Sequence, residues 1–106
     1  MSTAQLRAFR ALGVNKTVNV AVTAASQALT IPDVPFGTRS LRLANIGTQT
    51  VFIDFGTTSG TASLTTSIPL IANTSEVFTI DNNITYVNVI AASTGSTMYA
   101  TYGEGL

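Results

Sequence analysis

The stretch Arg39–Gly56, RSLRLANIGTQTVFIDFG, carries the pattern from which the fold is read. Leu41 and Leu43 alternate with Ser40 and Arg42, and Val51, Ile53 and Phe55 alternate with Phe52 and Asp54. Alternation with a period of two marks a strand that buries one face. Between the two runs, Asn45-Ile46-Gly47-Thr48 supplies turn chemistry. Thr50–Phe55 is therefore expected to fold back on Arg39–Asn45 as its hairpin partner.

The same period extends in both directions. Upstream, Val18, Val20 and Val22 alternate with Thr17, Asn19, Ala21 and Thr23, and Ala28–Ile31 extends or restarts that strand. Pro32-Asp33-Val34-Pro35-Phe36-Gly37 must be a connection, because two prolines and a glycine fall close together. Downstream, Gly56–Thr61 is a Gly/Ser/Thr loop, and Pro69 confines Ala62–Leu70 to an edge or a bulge. Ser75–Ile80 and Ile84–Ala91 are strong strands separated by the polar turn Asp81-Asn82-Asn83. Ser93-Thr94-Gly95-Ser96 is a further turn before a last strand, Thr97–Tyr102.

About seven or eight short strands with regular turn signals predict an all-β chain, a single antiparallel β-sandwich or jelly-roll-like domain. The expected core is Val20, Val22, Leu41, Leu43, Val51, Ile53, Phe55, Phe78, Ile80, Val87, Val89, Met98 and Ala100. A slip of one residue in any strand would exchange its faces.

The front of the chain differs. Ser2–Val14 is the one helix-compatible stretch, yet its apolar stripe is only Leu6, Phe9 and Leu12, and Gly13 would end it. So short a helix is marginal alone and is expected to order only against a partner. All five basic residues, Arg7, Arg10, Lys16, Arg39 and Arg42, lie in the first 42 positions, with Asp33 the one acid among them. Asp54, Glu76, Asp81 and Glu104 are the only charges that follow. Residues 1–16 are read as an extended N-terminal arm that lies on another surface, and residues 17–106 as the β-sandwich domain. Leu6 and Phe9 are the arm's apolar anchors, and Arg7, Arg10 and Lys16 its cations.

Composition bounds the function. A chain of 106 residues is one domain. Only 9% of it is charged, against roughly 25% for an average soluble domain. With 45% hydrophobic residues and Thr and Ser at most polar positions, little charge is left to keep copies apart, so much of the exterior is expected to be covered by other copies or partners. No stretch approaches the roughly 18–20 apolar residues of a membrane span. Asn15, Lys16, Thr17 and Asn19 break up any signal-peptide apolar region, so neither membrane insertion nor secretion by that route is expected.

Histidine and cysteine are absent, which removes Ser-His-Asp and Cys-His catalysis, disulfides, and zinc sites built on imidazole or thiolate. A glycosidase pair needs two carboxylates within about 5–10 Å; Asp54 and Glu76 are more simply solvated, outward residues. Asp81-Asn82-Asn83 is poor in charge for calcium. Gly56-Thr57-Thr58-Ser59-Gly60 lacks the lysine and following helix of a phosphate loop, and Gly103-Glu104-Gly105 lacks its strand-to-helix context. No enzyme activity, cofactor or metal is expected. Arg7, Arg10 and Lys16 would neutralise too few phosphates for firm nucleic-acid binding. Carbohydrate binding has no tryptophan to use, and Tyr86, Tyr99 and Tyr102 sit in strands where packing accounts for them.

Leu41-Arg42-Leu43-Ala44-Asn45-Ile46-Gly47-Thr48, then Val51-Phe52-Ile53-Asp54-Phe55-Gly56, Ile68-Pro69-Leu70, Glu76-Val77-Phe78 and Tyr102-Gly103-Glu104-Gly105 come in that order. In this succession, over residues 39–105, the chain resembles small structural proteins encoded beside capsid genes in tailed bacteriophages and prophages. The resemblance implies a virion component present in many copies. It would be a head decoration or cement protein on the capsid exterior, assembled in the host cytoplasm and bound as a homo-oligomer to the major capsid protein or another virion protein. Such proteins have a β-sandwich or jelly-roll body with a terminal arm, and no catalytic residues. A tail, neck or fibre-base role, or a glycan- or host-surface-binding module, is the alternative.

Overall fold

A computed structural model describes residues 10–11, 17–31, 39–57, 60–80 and 83–104. Among them the regular structure is β throughout. In chain order the strands are β1 (Arg10–Ala11), β2 (Thr17–Val22), β3 (Gln27–Thr30), β4 (Arg39–Gly47) and β5 (Val51–Gly56), then β6 (Ile68–Leu70), β7 (Thr74–Ile80), β8 (Tyr86–Ala91) and β9 (Ser96–Glu104). Every pairing is antiparallel.

Two sheets result. Sheet A runs β2-β9-β4-β7, with β1 continuing along the β2 side of β9, and sheet B runs β3-β8-β5-β6. From β2 onward, consecutive strands lie in opposite sheets except β5 and β6. β6 holds Pro69 and is an edge strand, as a residue without an amide hydrogen requires.

The sheets face each other across one core. Sheet A contributes Val22, Leu41, Leu43, Ile80, Met98, Ala100 and Tyr102, and sheet B contributes Leu29, Val51, Ile53, Leu70, Val87, Val89 and Ala91. Each large aliphatic side chain buried there is worth roughly 1.5–3 kcal/mol. Val20, Phe55 and Phe78, expected in the core, are half-buried at its margin. The Phe55 and Phe78 rings meet there from opposite sheets, tilted by 59° with centroids 5.4 Å apart.

The expected hairpin between Arg39–Asn45 and Thr50–Phe55 does not form. β4 lies between β9 and β7, whereas β5 lies between β8 and β6 in the other sheet. Thr48–Thr50 is a crossing between sheets, and the amides of Thr48 and Gln49 are satisfied by Gly95 in the β8–β9 connection and Ser96 at the start of β9. Thr48 N donates to Gly95 O at 3.1 Å. Gln49 N donates to Ser96 Oγ at 2.9 Å, and that hydroxyl donates back to Gln49 O at 2.8 Å. Asn45, fully buried, ties the same corner: its Nδ2 donates to Gln49 O at 2.7 Å and to Leu70 O at 2.9 Å.

The helix-compatible stretch Ser2–Val14 contributes, at Arg10–Ala11, a short strand instead of a helical turn. Its backbone pairs with Glu104 and Gly103. The remainder of that stretch lies outside the described residues.

Candidate interaction surface

Of the five residues expected to contact a partner, Leu6, Arg7, Phe9 and Lys16 lie outside the described residues. Arg10 is in β1, in register with Glu104. Along one side of β9 the partners are therefore Arg10 and Ala11 at Glu104 and Gly103, then Thr17 to Val22 at Thr101 to Ser96. Two separated segments of the front of the chain share the same strand.

The two sheets differ in what covers their outer faces. On sheet B, Ala28, Asp54 and Asn88 lie side by side on the outer face, and Asn88 is nonetheless buried. Residues 60–67, between β5 and β6, lie over them. Gly60 N donates to Asn88 Oδ1 at 3.0 Å, Ala62 N to Ser26 Oγ at 2.8 Å, and Ser67 Oγ to Asp54 Oδ2 at 2.8 Å. Ser63 N donates to Ser67 Oγ at 2.9 Å, and Ala62, within the strap, is buried. Small residues let the loop lie close to the sheet, and its amides find acceptors there that would otherwise be water. This segment was expected to be a plain loop and a weak strand. Asp54, expected to be solvated and outward, is half-buried and holds the strap by a charge-assisted bond.

On the outer face of sheet A, Ser40 and Gly103 are buried at one end, and over the next three rows no such strap lies among the described residues. Those three rows read Ala21–Thr97–Ile46, Asn19–Tyr99–Ala44–Ser75 and Thr17–Thr101–Arg42–Val77. Ile46 is 55% exposed and Tyr99 39%. Arg42 is the one charge in these rows; its Nη2 donates to Ser75 Oγ at 3.4 Å. A partner laid here would have a single ion to desolvate, and Thr, Ala, Tyr and Ile offer apolar area beside hydroxyls.

The face continues onto one end of the molecule, where residues 23–26, 47–50, 71–73 and 92–95 come together. Besides the Thr48–Gly95 contact, Gly47 N donates to Asn73 Oδ1 at 3.2 Å and Ala91 N to Thr23 O at 3.0 Å. None of these segments contains a charged residue, and Ile71 beside them is 58% exposed. From the sequence, Asn45-Ile46-Gly47-Thr48 and Ser93-Thr94-Gly95-Ser96 read as separate turns, and residues 23–26 and 71–73 are not singled out. Their common lack of charge was the available signal that they form one surface.

The carboxylates are dispersed: Asp54 lies under the strap on sheet B, and exposed Glu76 is on the edge strand of sheet A. Among the described residues no three His, Cys, Asp or Glu side chains gather. Tyr102 is fully buried and Tyr86 half-buried, which leaves Tyr99 the most exposed tyrosine on an open face. The arrangement is suited to packing against a surface. The chain matches no protein-family model and no curated protein.

Proposed function

We propose that this chain is a structural virion component of a tailed bacteriophage, a head decoration or cement protein that binds the outer capsid lattice. The observation that carries the reading is the strand order, β2-β9-β4-β7 facing β3-β8-β5-β6. That order supports a jelly-roll reading, an architecture recurrent in viral capsid proteins and lectins. Between those two uses the open surface favours assembly. A lectin-like site wants aromatic platforms, whereas the open face here offers one partly exposed tyrosine among threonines and aliphatics. The charge-poor face and end are better suited to lying against protein.

In this reading residues 1–16 are an arm reaching to a capsid subunit, with Leu6 and Phe9 as anchors and Arg7, Arg10 and Lys16 meeting carboxylates. The pairing of β1 with β9 supports it by tying the root of that segment to the body. Attachment to a repeated lattice makes individually weak contacts multivalent.

The test is reconstitution on particles stripped of the protein, followed by imaging. Wild-type chain should decorate the lattice in many copies, and a chain lacking residues 1–16 should stay folded by circular dichroism but no longer bind. Equal occupancy by the truncated chain would refute the arm. Density at the neck or tail alone would move the protein off the head, and polysaccharide binding abolished by Tyr99→Ala would favour the glycan module.

A further inference from the structure

The four sheet edges are not equally protected. β6 is three residues long and contains Pro69. β7 has seven residues, but its Glu76 stands opposite Leu43 in register, between the pairs Leu41–Phe78 and Asn45–Thr74. Glu76 is thus on the inner side of an edge strand, where any strand added alongside would bury its carboxylate. Short edges, prolines and inward charges are the usual devices against edge pairing. β3 has only four residues.

β2 carries none of these devices. It has six residues without a proline or a charge, and among the described residues β9 is its one strand partner. Its inner-face valines also grade outward: Val22 is buried, whereas Val18 and Val20 are only partly so.

We propose that the free edge of β2 pairs antiparallel with β2 of a second copy across a two-fold axis, joining two copies of sheet A into one continuous sheet. A second copy is the occupant because β2 complements itself. An axis normal to the sheet, midway between the two strands and level with Val20, sets Val20 beside the partner's Val20, Val18 beside the partner's Val22, and Asn19 beside the partner's Ala21. Residues keep their faces in this register, so valines meet valines on the inner side and neutral residues meet on the outer side. The same operation on β7, centred on Val77, would press Glu76 against the partner's Phe78. The interface therefore belongs to β2, and ladder hydrogen bonds supply its main-chain part.

The inference does not rest on the virion reading. Loss of particle binding would leave it standing, and a monomeric chain would leave the particle experiment unaffected.

The experiment is sedimentation equilibrium of the full chain over a concentration series, with a charge cycle on the two exposed outer-face positions. N19K/A21K places lysine opposite lysine twice, and N19K/A21E places lysine opposite glutamate twice. Wild type and N19K/A21E should be dimers that dissociate on dilution. N19K/A21K should dimerise more weakly by roughly tenfold or more, since like charges directly opposite destabilise a strand pair. Circular dichroism checks that each variant is folded. A wild type that stays monomeric at the highest concentration overturns the proposal, as does an equal response of the two variants, whatever their mass.

Discussion

Replacing Gly47 by alanine tests whether the crossing from sheet A to sheet B depends on contact between two connections. Gly47 has φ of 146°, a state L residues rarely adopt. Holding alanine there costs about 1–3 kcal/mol. An added Cβ would overlap the Gly95 carbonyl oxygen and stand 2.6 Å from Ser96 Cα and 2.7 Å from Ser96 Oγ. Two of those atoms are backbone, and Gly47 is paired with Ser96 in the β4–β9 ladder, so relief means opening the ladder. The Ser96 hydroxyl makes two bonds to Gln49, and Gly95 O accepts from Thr48 N. Losing the three forfeits about 0.5–1.5 kcal/mol each. The expected loss for G47A is about 3–7 kcal/mol, a large part of the ~5–15 kcal/mol that holds a typical domain folded.

Gly95 is the control. Its φ is 132°, but its added Cβ would meet Thr48 Oγ1 at 2.8 Å and Gln49 Cγ at 3.5 Å, both side-chain atoms that can turn away. G95A should cost only the backbone strain, about 1–3 kcal/mol. Urea unfolding followed by circular dichroism separates the two: at an unchanged m value, the midpoint should fall much further for G47A. Equal losses, or a G47A within about 1 kcal/mol of wild type, would refute the contact account.

Leu43 is fully buried at the centre of β4, so L43A should lose about 2–5 kcal/mol, read as a lower melting temperature; a loss below about 1 kcal/mol would mean the site collapses around the cavity. E76V removes the inward carboxylate from β7 and should produce concentration-dependent association by light scattering, whereas scattering like that of wild type would show that Glu76 does not guard the edge. S67A breaks the bond to Asp54 and the acceptor for Ser63 N, weakening the strap by about 1–3 kcal/mol. Hydrogen exchange at Gly60, Ala62 and Ser63 should speed up while the core amides hold; unchanged exchange there would mean the strap is held elsewhere.

The strands were legible because alternation reports one buried face, and Val22, Leu41, Leu43, Val51, Ile53, Val87, Val89, Met98 and Ala100 all point inward as read. Pairing was less legible. Asn45-Ile46-Gly47-Thr48 has the composition of a hairpin turn, yet it crosses between sheets, because that choice is made by Ser96 and Gly95, nearly fifty residues away. Tyr102 was missed as a core residue because a tyrosine near the end of a polar strand looks superficial, but it is fully buried. The strap over sheet B left only a faint trace in the Gly, Ala and Ser of residues 60–67. Of the five expected contact residues of the arm, Arg10 alone falls within the described residues, and its backbone joins the body.

Among the described strands β9 comes last in chain order, and it lies inside sheet A, between β4 and the strands of the front. Until it emerges, β1 and β2 have no partner in that sheet, and β4 is unpaired on one side. Closing Thr17 onto Thr101 then spans most of the chain, the kind of non-local pairing that folds slowly. Sheet A can therefore be completed only once β9 is available. A stop codon before residue 96 would leave an aggregation-prone chain with open strand edges.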